Sequence, residues 1–303
     1  QAKTATLRVE TTRGADAEHR RTACTVRFGA PIKGAGTGVY KSLSTTEPIV
    51  DTDAAIEEFL EWYRWTETAT TPATGRLPVV LAPEAAFLLV IPLCAGLSGV
   101  AVARETSPIF DRMGEPVLGD RLTVHDEATL HGSPVSRRFD DEGNACASRP
   151  LIENGILRGW LCDQYAAAKL GCDSTGNGFK RGLFQSGTEA PVSPWPAHVT
   201  IDGGERGARE LISEIEEGIL LVGGMGFHSG NFPQGQFAVQ AVGFRITGGK
   251  IVGRLERTMV AGNIYQDFLD VEASRERHEV DVLGGPILAP YLRVEALDVA
   301  GAS

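Results

Sequence analysis

The stretch ENGILRGWL at residues 153–161 places Asn154-Gly155 between two apolar runs, and FRITGGKIVGRLE at 244–256 repeats the device with Gly248-Gly249. A two-residue type I′ turn needs positive φ at both central residues, which Asn and Gly adopt at least cost, so each stretch predicts a tight antiparallel hairpin. Short apolar runs separated by turn signals continue from Leu77 to the end of the chain. The 36 glycines scatter among them, as in a protein with many turns rather than a few long helices. Two short helices interrupt: Gln164 to Leu170, closed by Gly171, and Ala208 to Glu217, closed by Gly218, with Leu211, Ile212 and Ile215 on one face. The expected fold is α+β, a strand-rich antiparallel domain with a few helices.

Working outward, residues 4–10 (TATLRVE) and 22–28 (TACTVRF) alternate like two strands around a polar turn containing Gly14 and Asp16. Asp51 to Ala69 reads as a helix, with Asp51 to Asp53 as cap and Ile56, Phe59, Leu60 and Tyr63 at helical spacing. TATTPATGRLP then breaks it, so residues 66–78 read as a linker. The division expected is 1–76, the end of an N-terminal domain with its linker, and 77–303, the strand-rich domain. The chain shows no internal repeat, low-complexity tract, P-loop or dinucleotide fingerprint.

At 303 residues, 42% hydrophobic and 22% charged, the chain is long enough for one large or two ordinary cores. A net charge of -10 and short basic clusters (Arg20-Arg21, Arg137-Arg138, Lys180-Arg181) argue against nucleic acid as a partner, since such binding draws on phosphate neutralisation. Five cysteines, Cys24, Cys94, Cys146, Cys162 and Cys172, form no C-x-x-C pair and suit a reducing, cytoplasmic setting. No run reaches the ~18 apolar residues of a membrane span, so no membrane is expected. A first residue Gln1 suggests a processed or trimmed chain.

Three stretches offer chemistry. FDDEG (139–143) has adjacent carboxylates Asp140, Asp141 and Glu142, but neighbours on an extended chain point to opposite faces, and a turn capped by carboxylates is the simpler expectation. STGNGFKRG (174–182), with Ser174, Thr175 and Asn177 before Lys180-Arg181, can cradle an anion or a peptide carboxylate through backbone amides, or serve only as a structural loop. GGMGFHSGNFPQGQF (223–237) carries His228 beside Ser229, a poor catalytic pair without a third orienting group. The cysteines read as small core residues.

These loops, in this order, resemble the TldD/PmbA family (modulator of DNA gyrase family): LVIPLCAGLSG with ETSPIFDRMGEPVLGDRLTVHDE, FDDEGNACASRPLIENGILRGWLCD, AAAKLG with STGNG, ELISEIEEGILL, and GQFAVQAVGFRITGGKI with AGN, whose last residue is Asn263. The resemblance covers residues 77–301, and 1–66 look like the end of the family's α/β N-terminal domain. TldD members are zinc metallopeptidases with a His-Glu-x-x-x-His motif. That motif falls in LLVIPLCAGLSG (88–99), with its first histidine on Val90, its glutamate on Ile91 and its second histidine on Ala95. No cysteine follows Cys172 to supply the further ligand that TldD takes near its C-terminus. The resemblance therefore implies a PmbA/TldE-like chain with no catalytic residue and no metal of its own. Its zinc would sit in a TldD-like partner, and the two chains would enclose an unfolded peptide in the cytoplasm. Asp140, Asp141, Glu142, Ser174, Thr175, Asn177, His228 and Asn263 are the candidate peptide- or anion-binding residues. Two other readings stand beside it: a homodimeric hydrolase of altered chemistry drawing on Asp140, Asp141 and Glu142 with His125, His131 and His228, and a protein-binding regulator of DNA gyrase.

Overall fold

The computed structural model describes residues 1–301 except 13, 34–35, 50, 182–186, 228–229, 283–284 and the side chain at 188. An antiparallel sheet opens the chain in the order β1 (Ala2–Glu10), β2 (Asp16–Pro31), β3 (Gly38–Thr45). β2 starts at Asp16, earlier than the alternation at 22–28 indicates, because Asp16 to Arg21 pair one by one with Glu10 back to Ala5. Between Asp16 and Arg21 both faces of β2 carry polar side chains, so this part of the strand leaves no apolar rhythm in the sequence.

Helix α1 (Asp53–Trp65) follows, with Asp51 Oδ1 accepting from the Asp53 amide at 3.0 Å. Its inward stripe is buried Trp62 with the partly buried Phe59 and Trp65, while Ile56, Leu60 and Tyr63 stay exposed. The large ring surfaces decide the face: Trp65 meets Phe244 edge-on at 5.2 Å. Two strands, β4 (Ala69–Thr70) and β5 (Gly75–Leu81), occupy much of the stretch read as linker and enter the main sheet.

Past a 3₁₀ turn at Pro83–Ala85 come α2 (Phe87–Leu97) and α3 (Gly99–Ala103). Next are β6 (Val124–Asp126), β7 (Arg149–Glu153), β8 (Ile156–Leu157), α4 (Gln164–Leu170), β9 (Gly178–Lys180), β10 (Val192–Pro194) and β11 (Val199–Ile201). The chain closes with α5 (Ala208–Ser213), β12 (Glu217–Met225), β13 (Gln236–Thr247), β14 (Lys250–Leu255), β15 (Thr258–Asn263), α6 (Ile264–Asp267), β16 (Val271–Val282) and β17 (Gly285–Gly301).

Both predicted hairpins form, with φ of 49° and 75° at Asn154-Gly155 and 54° and 70° at Gly248-Gly249. Helix α4 is capped by Asp163, which accepts from the Ala166 amide, and ends at Gly171 in the left-handed region. Helix α5 is shorter than expected, ending at Ser213. Gly218 lies inside β12, where a Cβ would stand 2.6 Å from the Pro78 carbonyl, so close strand packing and not a helix cap requires it.

The main sheet runs β4-β14-β13-β12-β5-β17-β11-β6-β7-β8. Pairing is mostly antiparallel, with parallel contacts at β4–β14, β5–β12 and β11–β17. Because β15 pairs with both β13 and β17, strands β13, β12, β5, β17 and β15 close a ring. Alternation along β5 sorts the two cores: Val79 and Leu81 face α2, and Val80 and Ala82 face α1.

Candidate functional site

Helix α2 is apolar on every side and every residue but Ala95 is buried, which is the pattern of a helix inside a core. Its uniform hydrophobicity hides it from periodicity, and Pro92 within it removes one amide donor. Val90 and Ile91 are 3% and 1% exposed. Zinc takes nitrogen, sulfur or oxygen ligands, and Val90, Ile91 and Ala95 offer none, so these positions do not fit the metal. Neighbouring Cys94 is no substitute. Burial foremost, then the charge of Asp126, pushes its thiol up, against an opposing pull from Arg181, and it stands without a set of further ligands around it among the described residues. Among the described residues no group of three or more His, Cys, Asp or Glu is arranged to hold a metal ion.

Beyond Ala95, Gly96 leaves room for Tyr265, whose buried hydroxyl has no hydrogen-bond partner among the described residues. Asn263 stands beside it, but its groups are already committed. Oδ1 accepts from the Tyr265 amide at 3.0 Å, Nδ2 donates to the Gln234 carbonyl at 3.0 Å, and its amide donates to Asp267 at 2.7 Å. Gln234 in turn donates to the Thr106 carbonyl at 2.7 Å, tying the turn at Phe232–Gln234 over α2. His228 lies outside the described residues.

The other six candidates come together as one knot of loops. Asp140, fully buried, accepts from the amides of Glu142 (3.0 Å), Asn144 (2.8 Å) and Gly178 (2.9 Å). Asp141 accepts from the Lys180 amide at 2.7 Å and pairs with Arg137 at 3.1 Å. Glu142 accepts from the Gln164 amide at 2.8 Å; burial raises its pKa, that bond opposes the rise, and Asp140 and Asp163 add to it. Ser174 and Thr175 both donate to the Cys162 carbonyl at 3.1 Å. Asn177 donates to buried Asp126 at 2.7 Å and accepts from Arg149. The three adjacent carboxylates therefore face different partners, as the turn reading expected, and the knot fixes α4 and β9 against the sheet.

Among the histidines, His125 Nε2 lies 3.2 Å from Asp202. His198 sits between Ser133 Oγ at 3.2 Å and Glu279 Oε1 at 2.9 Å, an order of contacts like a hydrolase relay. Ser133, however, is 5% exposed, and its Oγ accepts from the Val135 amide at 3.3 Å, so it serves as a buried turn anchor.

Sequence reasoning missed a charged cluster. Lys41 of β3, 4% exposed, lies 2.8 Å from Glu58 of α1 and 3.0 Å from Glu84, with its ammonium 4.0 Å above the Trp62 ring. Tyr291 of β17 donates to Glu58, and His278 of β16 stands edge-on to Tyr291 at 6.2 Å. These residues span 250 positions of chain and no local motif joins them; the one available signal was a lysine inside the strand pattern VYKSL. A cleft of about 870 Å³ beside α1 is lined by Glu58, Trp62, His278 and Tyr291.

The family model described as the PmbA/TldA metallopeptidase C-terminal domain matches residues 74–301. A metalloprotease of Methanocaldococcus jannaschii is 29% identical over 210 residues, 69% of this chain and 45% of its own length. A metalloprotease PmbA homologue of Haemophilus influenzae is 26% identical over 225 residues, 73% of this chain and 46% of its own. A zinc metalloprotease TldD homologue of Saccharolobus solfataricus is 25% identical over 245 residues, covering 77% and 53%. The crystal structure of TldE from Thermococcus kodakarensis superposes with a TM-score of 0.87 at 24% identity, over 99% of this chain and 68% of that one, a likeness of fold. The chain spans about half the length of the curated relatives it matches.

Proposed function

Since this chain belongs to the PmbA/TldD metallopeptidase family, we propose that it is a PmbA/TldE-like subunit that does not itself catalyse and that completes a peptidase with a TldD-like, zinc-bearing partner. The observation that carries this reading is the chemistry of α2. At the three positions where the family's zinc motif falls, the side chains are Val90, Ile91 and Ala95, and the first two are sealed in the core. The carboxylates that might rebuild a site elsewhere already accept backbone amides, which supports the same view. In this proposal the chain walls a chamber for an unfolded peptide, as in peptide maturation or antitoxin degradation. Strand-rich walls suit extended peptides, which bind by adding to a sheet edge. A cytoplasmic setting agrees with cysteines that are free, among them buried Cys94, Cys146 and Cys162.

Co-expression with a TldD-like protein carrying an intact His-Glu-x-x-x-His tests the proposal. A stable heterodimer with peptidase activity only in the mixture, and zinc only in the partner, is the expected result. Zinc-dependent hydrolysis by this chain alone, or a homodimer that ignores the partner, overturns it.

A further inference from the structure

Helix α4 carries a cysteine just outside each end, Cys162 before its cap Asp163 and Cys172 after its closing Gly171. The chain that leaves the helix folds back over its start. The Cys172 amide donates to the Ala167 carbonyl at 3.1 Å, and Thr175 then meets Cys162 twice through the backbone. Its amide donates to the Cys162 carbonyl at 3.0 Å, and its Oγ1 accepts from the Cys162 amide at 2.7 Å. Ser174 Oγ donates to the same carbonyl at 3.1 Å. This return brings the Cys172 thiol within hydrogen-bonding reach of the Cys162 thiol, across the length of α4. Cys162 is 1% exposed and packed at the junction of α3 and α4, where a Cβ on Gly99 would stand 2.7 Å from its Sγ. Burial foremost, then the charge and hydrogen bond of Cys172, pushes its thiol up to about 12, with Arg149 opposing and Asp163 adding. Cys172, by contrast, is exposed. Cys146, a further thiol in this knot of loops, already donates to the Gly176 carbonyl at 3.1 Å.

An exposed thiol touching a buried one is the arrangement of an attacking and a resolving cysteine, because a dissolved oxidant reaches only the first. We propose that Cys162 and Cys172 form a reversible disulfide by exchange with a small disulfide, and that this bond fastens the loop at residues 173–177 onto the start of α4. The Cys172 thiolate attacks one sulfur of the small disulfide, whose other half leaves as a thiolate, and a mixed disulfide forms on Cys172. The Cys162 sulfur then attacks Cys172 Sγ and expels the second small thiolate. Both cysteine protons end on the small thiols, so one small disulfide is reduced to two thiols while the two cysteines are oxidised. In the mixed disulfide Cys172 has neither charge nor thiol proton, and two of the causes that raise Cys162 are gone when it must react. In a reducing compartment such a bond is transient and follows the state of the thiol pool. The fastened loop holds Asn177, whose side chain donates to buried Asp126 of β6, so oxidation acts on the contact between α4 and the main sheet.

The test is to incubate the unaltered protein with 2-hydroxyethyl disulfide, alkylate the remaining thiols and digest with trypsin. Cleavage after Arg158, Lys169 and Lys180 puts Cys162 and Cys172 on separate peptides, 159–169 and 170–180. Their bond should appear as one linked species, lighter than the two peptides together by two hydrogen atoms. The thiol count of the protein should fall by two, and dithiothreitol should restore it. Hydrogen exchange at the amides of Thr175 and Gly176 should slow about tenfold or more in the oxidised form. Cys162→Ala should stop the reaction at a mixed disulfide on Cys172, and Cys172→Ser should leave Cys162 unmodified. The linked-peptide measurement needs no variant and decides the matter if Cys162→Ala does not fold. A mixed disulfide that persists on Cys172 of the unaltered protein overturns the proposal, as does a link from Cys172 to Cys146. So does a Cys172 that stays a free thiol, or exchange at the loop amides that is unchanged in the linked form.

Discussion

The Lys41 ammonium lies 3.0 Å from a Glu84 carboxylate that is buried and makes no well-angled hydrogen bond, so one cation serves two acids, Glu84 and the closer Glu58. Burial acts on both. At Glu58 the charge and hydrogen bond of Lys41, with the Tyr291 hydroxyl, overcome it and hold the pKa below the ordinary carboxylate value. At Glu84 burial wins and the pKa is raised. The cluster joins β3, α1 and β17 to the turn that precedes α2, and so links the N-terminal elements to the sheet around that helix.

Lys41→Met leaves Glu58 buried without its counter-charge and should cost about 3–5 kcal/mol in urea denaturation. The pH dependence has two signs. Glu58 is depressed on folding, so its stabilisation is present above its unfolded pKa and is lost as pH falls through the folded value. Glu84 is raised, so its contribution is present below its unfolded pKa and is lost as pH rises through the folded value. Glu84→Gln should therefore remove the loss of stability that sets in as pH rises above the ordinary glutamate value. An unchanged profile over that rise would show that Glu84 is ionised in the fold.

Asp140 accepts three backbone amides and the Asn144 side chain, so its truncation strands several buried donors at once. Asp140→Ala should cost on the order of 3 kcal/mol or more, and Asp140→Asn, which keeps an acceptor oxygen, clearly less. Hydrogen exchange at the amides of Asn144 and Gly178 should accelerate selectively. A loss of peptide binding with no loss of stability would instead assign Asp140 to a ligand.

Two turn glycines with the same backbone sign should respond differently to alanine. Gly248, at φ 54°, has open space where a Cβ would stand, so Gly248→Ala should cost only the conformational penalty, about 1 kcal/mol. Gly155, at φ 75°, faces the backbone carbonyls of Leu118 and Gly119 inside contact distance, so Gly155→Ala must also displace main chain. Its thermal midpoint should fall by at least three times as much.

These turns mark what the sequence can express. Asn154-Gly155 and Gly248-Gly249 announce hairpins because the requirement is local to two residues. Gly171 announces the end of α4 for the same reason, whereas Gly218 misleads because it answers to Pro78, far away in the chain. Helix α2 is invisible to periodicity because all its faces are apolar, and β2 before Thr22 because both of its faces are polar. The order of loops carries the family resemblance, and it is that resemblance, not any local pattern, that puts the candidate site at Val90, Ile91 and Ala95. The Lys41 cluster, assembled from positions 41, 58, 84, 278 and 291, leaves a single trace along the chain, the lysine inside VYKSL.

In the proposed reading the family's zinc motif falls on positions 90, 91 and 95, and introducing its residues there tests that reading. In Val90→His/Ile91→Glu/Ala95→His, the residue at 90 enters a position 3% exposed and that at 91 one 1% exposed, so an unpartnered polar group there should cost about 1–3 kcal/mol each. Among the described residues no group of three or more His, Cys, Asp or Glu is arranged to complete a coordination sphere around them. The variant should therefore bind zinc substoichiometrically by elemental analysis, and zinc should leave its melting midpoint unchanged. A ligand present at one hundred times its Kd would raise stability by about 2.7 kcal/mol, a shift easily seen. Equimolar zinc with such a shift would mean that the rest of the coordination sphere is intact, and the non-catalytic assignment would then rest on three side chains.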